Sequence, residues 1–234
     1  MPPVRELYVV LVAACVELTA CAQAGESGRG VDPDASVRRN DSSVGGIDSR
    51  VTGPDGSTGC TTMTTNVLAN ASFESGGTGW TVTPILSGDP IINTKNADGG
   101  PVDAQSPAYR AWLGGVEAAP ASNKDSMYQD VLIPQGTTAL EFTGYYDVRT
   151  AETGSTAYDK AVVEIVTSNG TQQLDEIKKL DNTSKTTAWT AFNKTITTNL
   201  SGQTVRLRFS SGGDGLYATS FFFDSVALNA TTCQ

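Results

Sequence analysis

The sequence predicts an all-β fold, an antiparallel sandwich or barrel. Three observations carry that reading. Apolar and polar residues alternate at period two in several runs, Gly, Thr, Ser and Asn punctuate those runs at short intervals, and helical periodicity is scarce. Short alternating runs separated by turn residues are the pattern of a sheet whose strands each bury one face.

The clearest strand signal is Leu140–Val148, LEFTGYYDV. It recurs in Ala161–Val166, Val205–Phe209 and Phe221–Leu228, while Gly79–Thr83, Tyr109–Leu113, Met127–Ile133, Gln172–Ile177 and Trp189–Ile196 carry it more weakly. Residues 93–107 and 149–158 read as long loops, and neither an internal repeat nor a convincing helix is present. Trp80, Trp112 and Trp189 fall in or beside strands. Strand aromatics bury large apolar areas, so Trp80 and Trp112 read as core.

Composition narrows the chemistry. The chain has 234 residues, a net charge of −9 and no histidine. Without histidine there is no Ser-His-Asp or Cys-His pair, no histidine-ligated zinc, and no imidazole general base. Acidity without a basic cluster argues against nucleic acid and against anionic membrane surfaces, both of which need counter-charge. It is compatible with solubility and with divalent cations.

The N-terminus reads as an export segment. Residues 7–21, LYVVLVAACVELTAC, form an apolar run too short for a membrane span, which needs roughly 20 residues, and suited to a signal-peptide core. The ending Leu18-Thr19-Ala20-Cys21 resembles a bacterial lipoprotein signal, which implies that Cys21 is acylated and becomes the first residue. Val12-Ala13-Ala14-Cys15 is a second, weaker candidate, and an ordinary secretory peptide cleaved near Ala20 or Ala22 reads from the same run. The reading is thus a signal over 1–21, a linker over 22–59 and one domain over 60–234. Removing residues 1–21 takes away Arg5, Glu6 and Glu17 and leaves about −8. The linker is rich in Gly, Ser, Asp and Arg and lacks aromatics, so it cannot bury enough to offset its ordering entropy. As a flexible coil it would span roughly 30–35 Å. By resemblance to the known sorting preference, Ala22 after the cysteine favours the outer membrane or cell surface over other parts of the envelope.

Cys60 and Cys233 bracket the domain. In an oxidising compartment they read as one disulfide joining its first and last segments. The loop-entropy account puts its contribution near 5 kcal/mol at most. No CxxC spacing supports a redox or metal pair.

Asn66-Val67-Leu68-Ala69-Asn70-Ala71-Ser72-Phe73-Glu74-Ser75-Gly76, followed by Gly79-Trp80, resembles the opening strand of bacterial carbohydrate-binding jelly rolls of families 4 and 9 and their relatives. Phe221-Phe222-Phe223-Asp224-Ser225-Val226-Ala227-Leu228 resembles their closing strand. The stretches Ala111–Gly115, Asp125–Gln129, Thr150–Thr153 and Gly202–Leu207 resemble a jelly-roll accessory domain appended to secreted bacterial proteases. The resemblance spans residues 66–229. It implies a galactose-binding-like jelly roll with a non-catalytic binding role. In the sugar-binding relatives the opening-strand Glu and closing-strand Asp meet at a structural calcium, which here implies Glu74 and Asp224. Two carboxylates brought together by the terminal strands need a cation or a donor between them. Ser225 stands where relatives often carry a second Asp or Asn.

Asp147, Glu152, Asp159 and Asp214 fall in predicted loops. Plain solvation, a second cation site, and an acid/base pair for glycoside hydrolysis are all open for them. Tyr109, Tyr145 and Tyr217 are the candidate surface aromatics for a ligand. Tyr145 adjoins Tyr146 in an alternating strand, so one of the two faces outward. Taken together, the sequence points to a membrane-tethered module outside the cytoplasm that binds a glycan or surface polymer. The alternative is a structural or adhesive domain that contacts another exported protein, without a sugar site. A hydrolase lacks a nucleophile motif.

Overall fold

The computed structural model describes residues 60–94, 101–117 and 124–233. The expected signal segment, the linker and Cys21 lie outside them. The described residues form an all-β, two-sheet antiparallel jelly-roll sandwich. Its strands are β1 (Thr62–Asn66), β2 (Thr81–Thr83), β3 (Ile92–Thr94), β4 (Tyr109–Gly114), β5 (Lys124–Leu132), β6 (Thr137–Thr150), β7 (Lys160–Thr167), β8 (Gln173–Asp181), β9 (Thr190–Ile196), β10 (Thr204–Gly212) and β11 (Thr219–Cys233). One sheet runs β3-β4-β11-β6-β9 with β1 added on β11, and the other runs β2-β5-β10-β7-β8. A single 3-10 turn, Asn182–Ser184, is the one helical element among the described residues.

Every strand expected from alternation is present. β1 and β3 were not expected: TMTTN is wholly exposed and so carries no apolar alternation, and β3 is only three residues long. A larger correction concerns the segment read as the opening strand. Residues 67–79 are a chain of turns, and the strand ends at Asn66.

Alternation explains which face each strand buries. In β10, Val205, Leu207 and Phe209 point inward, and Arg206 and Arg208 point to the outer face. Between the sheets an aromatic chain runs from Phe73 to Trp80 (ring centroids 5.4 Å apart), on to Phe209 (5.9 Å) and then to Phe223 (5.1 Å). It joins the turn segment to both sheets. β11 departs from simple alternation, because Phe221, Phe222 and Phe223 are all buried. Phe221 and Phe223 enter the main core. Phe222 turns to the outer face and packs with Val102, Trp112 and Trp189 under the 101–107 segment. Burying one such side chain contributes roughly 1.5–3 kcal/mol.

β11 pairs β6 along its whole length, β4 along its first half and β1 along its second. Cys233 lies opposite Thr62 in the β1 ladder, and its sulfur is bonded to Cys60, 173 residues away in sequence. Reducing this bond, or replacing both cysteines by Ser, should cost about 2–5 kcal/mol and lower Tm by about 5–15 °C. Thermal unfolding with and without reductant checks it, and an unchanged Tm would mean that β1 contributes the closure alone.

Candidate functional site

The turn segment after β1 is held by side chains rather than by a ladder. Asn66 Oδ1 accepts the N–H groups of Leu68 (3.1 Å) and Leu228 (3.0 Å) and so ties the strand end to β11. Asn70, at φ 48°, donates to the carbonyls of Gly76 and Thr78 and accepts from the Ser75 N–H. Gln129 of β5 accepts from Ala69 N–H at 2.7 Å and donates back to the Ala69 and Gly79 carbonyls. Gly76 and Gly79 sit at positive φ, where a side chain is strained. Phe73 and Trp80 are thereby driven into the core, and Glu74 is left facing the 105–109 segment.

There Glu74 and Asp224 come together around Ser106. Ser106 Oγ lies 2.8 Å from Asp224 Oδ1, 2.9 Å from Glu74 Oε1 and 3.3 Å from the Ser72 carbonyl. Glu74 Oε1 also accepts from the Ala108 and Tyr109 N–H groups, and Asp224 Oδ2 accepts from those of Gln105 and Ser106. Asp224 is fully buried at a bulge, where Ser225 adopts φ 49° and the β6 register shifts. Burial pushes its carboxyl above the usual carboxylate range, against the pull of the Ser106, Ser225 and Gln105 donors. A hydroxyl has one proton, yet three acceptors crowd this one. An oxygen cage with surplus acceptors and surplus negative charge has the chemistry of a hard-cation site. Glu74, Asp224, the Ser72 carbonyl and Ser106 are the groups that could hold one. Glu74 reaches this point from a turn, not from the terminal strand expected of it.

The candidate aromatics separate. Tyr109 is half-buried and packs against the main core. Tyr146 takes the inward position and Tyr145 the outward one, where it is half-buried and lines a shallow groove with Thr143, Asn193 and Ser225. Tyr217 is 62% exposed and stands between β10 and β11 beside the equally exposed Leu216. Tyr158, not singled out from sequence, is also exposed. On the outer face of the second sheet the Arg206 guanidinium covers one face of the Tyr128 ring at 3.6 Å and pairs with Asp130.

The four loop carboxylates also separate. Asp147 lies within β6, fully buried, and pairs with Arg149 at 2.6 Å. Glu152, Asp159 and Asp214 gather at one end of the sandwich. The Glu152 carboxyl is raised by desolvation and by the Asp159 and Asp214 charges. Asp159 is raised chiefly by burial, with the Asp214 charge adding to the rise and Thr219 and the Asp214 N–H opposing it. Asp159 and Ser211 line a cavity of about 30 Å³ between the β4 end and the 212–218 loop. Nothing in the sequence signals Ser106, because it matters through an oxygen that meets carboxylates from distant segments.

No protein-family model and no curated protein matches the chain. Solved structures do. The module TmCBM61, in complex with β-1,4-galactotriose, is 15% identical, with a TM-score of 0.49 over 70% of this chain and 97% of that one. The Stig cyclase Fisc from Fischerella sp. TAU is 18% identical, with a TM-score of 0.43 over 73% and 98%. The CBM22-1 xylan-binding domain of Paenibacillus barcinonensis Xyn10C is 14% identical, with a TM-score of 0.38 over 76% and 99%. At these values the assignment of the sandwich rests on its own ladders.

Proposed function

We propose that the chain is a non-catalytic binding module, tethered to a membrane outside the cytoplasm, that recognises a glycan or a surface polymer at the loop end of the sandwich. The observation that carries this reading is the exposure of Tyr217 and Leu216 there, with Tyr158 exposed on the neighbouring loop. Flat aromatic faces flanked by hydroxyls and carboxylates suit a ring that is apolar on its faces and polar at its edge. The motifs around Asn66–Trp80 and Phe221–Leu228 point the same way by resemblance. A catalytic reading has less to stand on. The chain has no histidine, and Asp125, Asp147 and Asp224 are held as buried hydrogen-bond or ion-pair partners of the fold. A glycan array probed with the purified chain tests the proposal. Tyr217→Ala should weaken binding of any hit at least about tenfold, as expected for a loss of ~1.4 kcal/mol or more. If no glycan binds to the folded chain, the adhesive, protein-binding reading takes over.

Calcium belongs to this proposal as a structural ion at Glu74, Asp224, Ser72 and Ser106. When bound it would supply positive charge to the crowded oxygens and fasten the turn segment to the β11 bulge. A ligand that binds only the folded state stabilises it. Calcium at about a hundred times its Kd should raise Tm by about 5–10 °C over a chelated sample, and Glu74→Gln should remove most of that rise. Equal melting with calcium and with chelator would sink the structural ion.

Tethering is proposed through acylation of Cys21. Replacing Cys21 by Ser should move the protein from the membrane to the soluble extracytoplasmic fraction. Release by a Cys15 substitution alone would shift the processing site, and a wild type already in the soluble fraction would mean an unacylated exported protein.

A further inference from the structure

The lysines without a partner collect at one end of the sandwich. Among the described residues, Arg149, Arg206, Arg208, Lys179 and Lys194 each hold a carboxylate, and Lys178 lies over the Tyr146 ring. Lys124, Lys160 and Lys185 hold neither a carboxylate nor a ring. Lys124 begins β5, Lys160 begins β7, and Lys185 follows the 3-10 turn after β8, so all three stand at the loop end.

Two of them share a groove. Lys124 and Lys160 both stand opposite Gly212 of β10, one on each side, on the outer face of the second sheet. Neighbouring strands lie roughly 4.8 Å apart, which sets the two backbones about 10 Å from each other. Gly212 puts no side chain between them, and the Lys124 stem leans over it. A Cβ there would stand 3.3 Å from Lys124 Cγ and 3.6 Å from Cε. The groove has about 310 Å³, and Tyr158, Val162, Ser210 and Gly213 complete its lining. Two rows further in, Arg208 is already neutralised by Glu164 at 2.8 Å, so the unspent charge is confined to this end.

The walls are held from within. Asn182, 4% exposed, accepts the Tyr158 and Asp159 N–H groups at 2.8 and 3.2 Å and donates to the Thr156 carbonyl at 2.7 Å. It thereby fixes the loop that presents Tyr158, which is 48% exposed. Asp159 Oδ1 accepts the Asp214 N–H at 3.3 Å and ties down the 212–218 loop. The carboxylates nearest in the chain or the ladder are engaged elsewhere. Asp181, opposite Lys160 on β8, accepts the Thr183 N–H at 2.9 Å as the cap of the 3-10 turn. Asp125 and Asp159, next in sequence to the two lysines, are buried.

We infer that this groove binds a uronic-acid residue of a glycan, with the sugar carboxylate between Lys124 and Lys160. The inference rests on the glycan-binding reading and names the class of sugar. Tyr158 and Val162 offer the ring an apolar surface, and Ser210 Oγ meets a hydroxyl at its edge. A bare inorganic anion would use the two ammonium groups and leave Tyr158 and Val162 idle. The chain carries −9, which repels a densely charged polymer at long range. The fitting ligand is therefore an isolated acidic residue in a mostly neutral glycan.

Calorimetric titration of the full chain tests this. The probes are oligosaccharides carrying one glucuronate or one galacturonate, and the methyl esters of the same compounds. The wild type should bind at least one acid about tenfold or more tightly than its ester, the ratio expected when charge-assisted bonds are lost. The double variant Lys124→Gln/Lys160→Gln should bind that acid no better than the ester. Both lysines are exposed, so the variant should melt like wild type, and the acid-against-ester comparison on wild type needs no variant at all. Acid and ester bound equally by wild type, or a preference that survives in the double variant, would overturn the inference and leave the glycan-binding reading intact. Binding of no sugar, acidic or neutral, would remove both. Inorganic sulfate or a polyglutamate peptide bound as tightly as the acidic sugar would overturn the uronate, the peptide in favour of an acidic protein partner.

Discussion

The last strand of the chain is the middle strand of its sheet. β11 carries β6 on one edge and both β4 and β1 on the other, so neither flank of that sheet is anchored until residues 219–233 are in place. The three consecutive phenylalanines of β11 serve both faces of the sheet at once, two in the core and one beneath the outer segment. Few of these contacts are local. Loop-closure entropy must therefore be met before long-range pairing rewards it, which is the regime of slow β folding. The terminal disulfide fastens this sheet where the wholly exposed β1 has no apolar face to hold it.

Much of the fold was legible because burial in a sandwich is a period-two property. Val205, Leu207 and Phe209 announce their face in the sequence, and so do Phe142 and Val148. β1 was silent because it buries nothing, and its place is set by register and a covalent bond. Residues 67–79 read as an opening strand by resemblance of motif, whereas the structure makes them turns. Asn70 and Gln129 override that pattern by offering the backbone side-chain partners in place of a neighbouring strand. The pairing of Glu74 with Asp224 could be anticipated from the two motifs. Ser106 could not, because a hydroxyl in a long loop gives no sign of which distant carboxylates it will meet.

Aspartates organise this molecule more than its size would suggest. Asp224 collects N–H groups from residues 105 and 106, and Asp125 takes those of Ile85 and Gly114 at 2.6 Å each. In each case a buried carboxylate holds an irregular segment, and Asp125 also holds the end of β4; charge-assisted bonds of this kind are roughly twice as strong as neutral ones. Asp159 follows the pattern on one oxygen only. That asymmetry makes it different in kind from the other two.

β11 also fixes a direction. It begins at Thr219, beside the loops that carry Tyr217 and Asp159, and ends at Cys233, beside the residue where the preceding chain enters. The two poles are about 45 Å apart along the strand. A pull applied between residue 60 and the loop end would meet the short β1 ladder in shear. The sulfur bridge carries that load past β1 and into the central strand. Tension then runs down the one element that both flanks of the sheet grip, and the weakest ladder is mechanically silent.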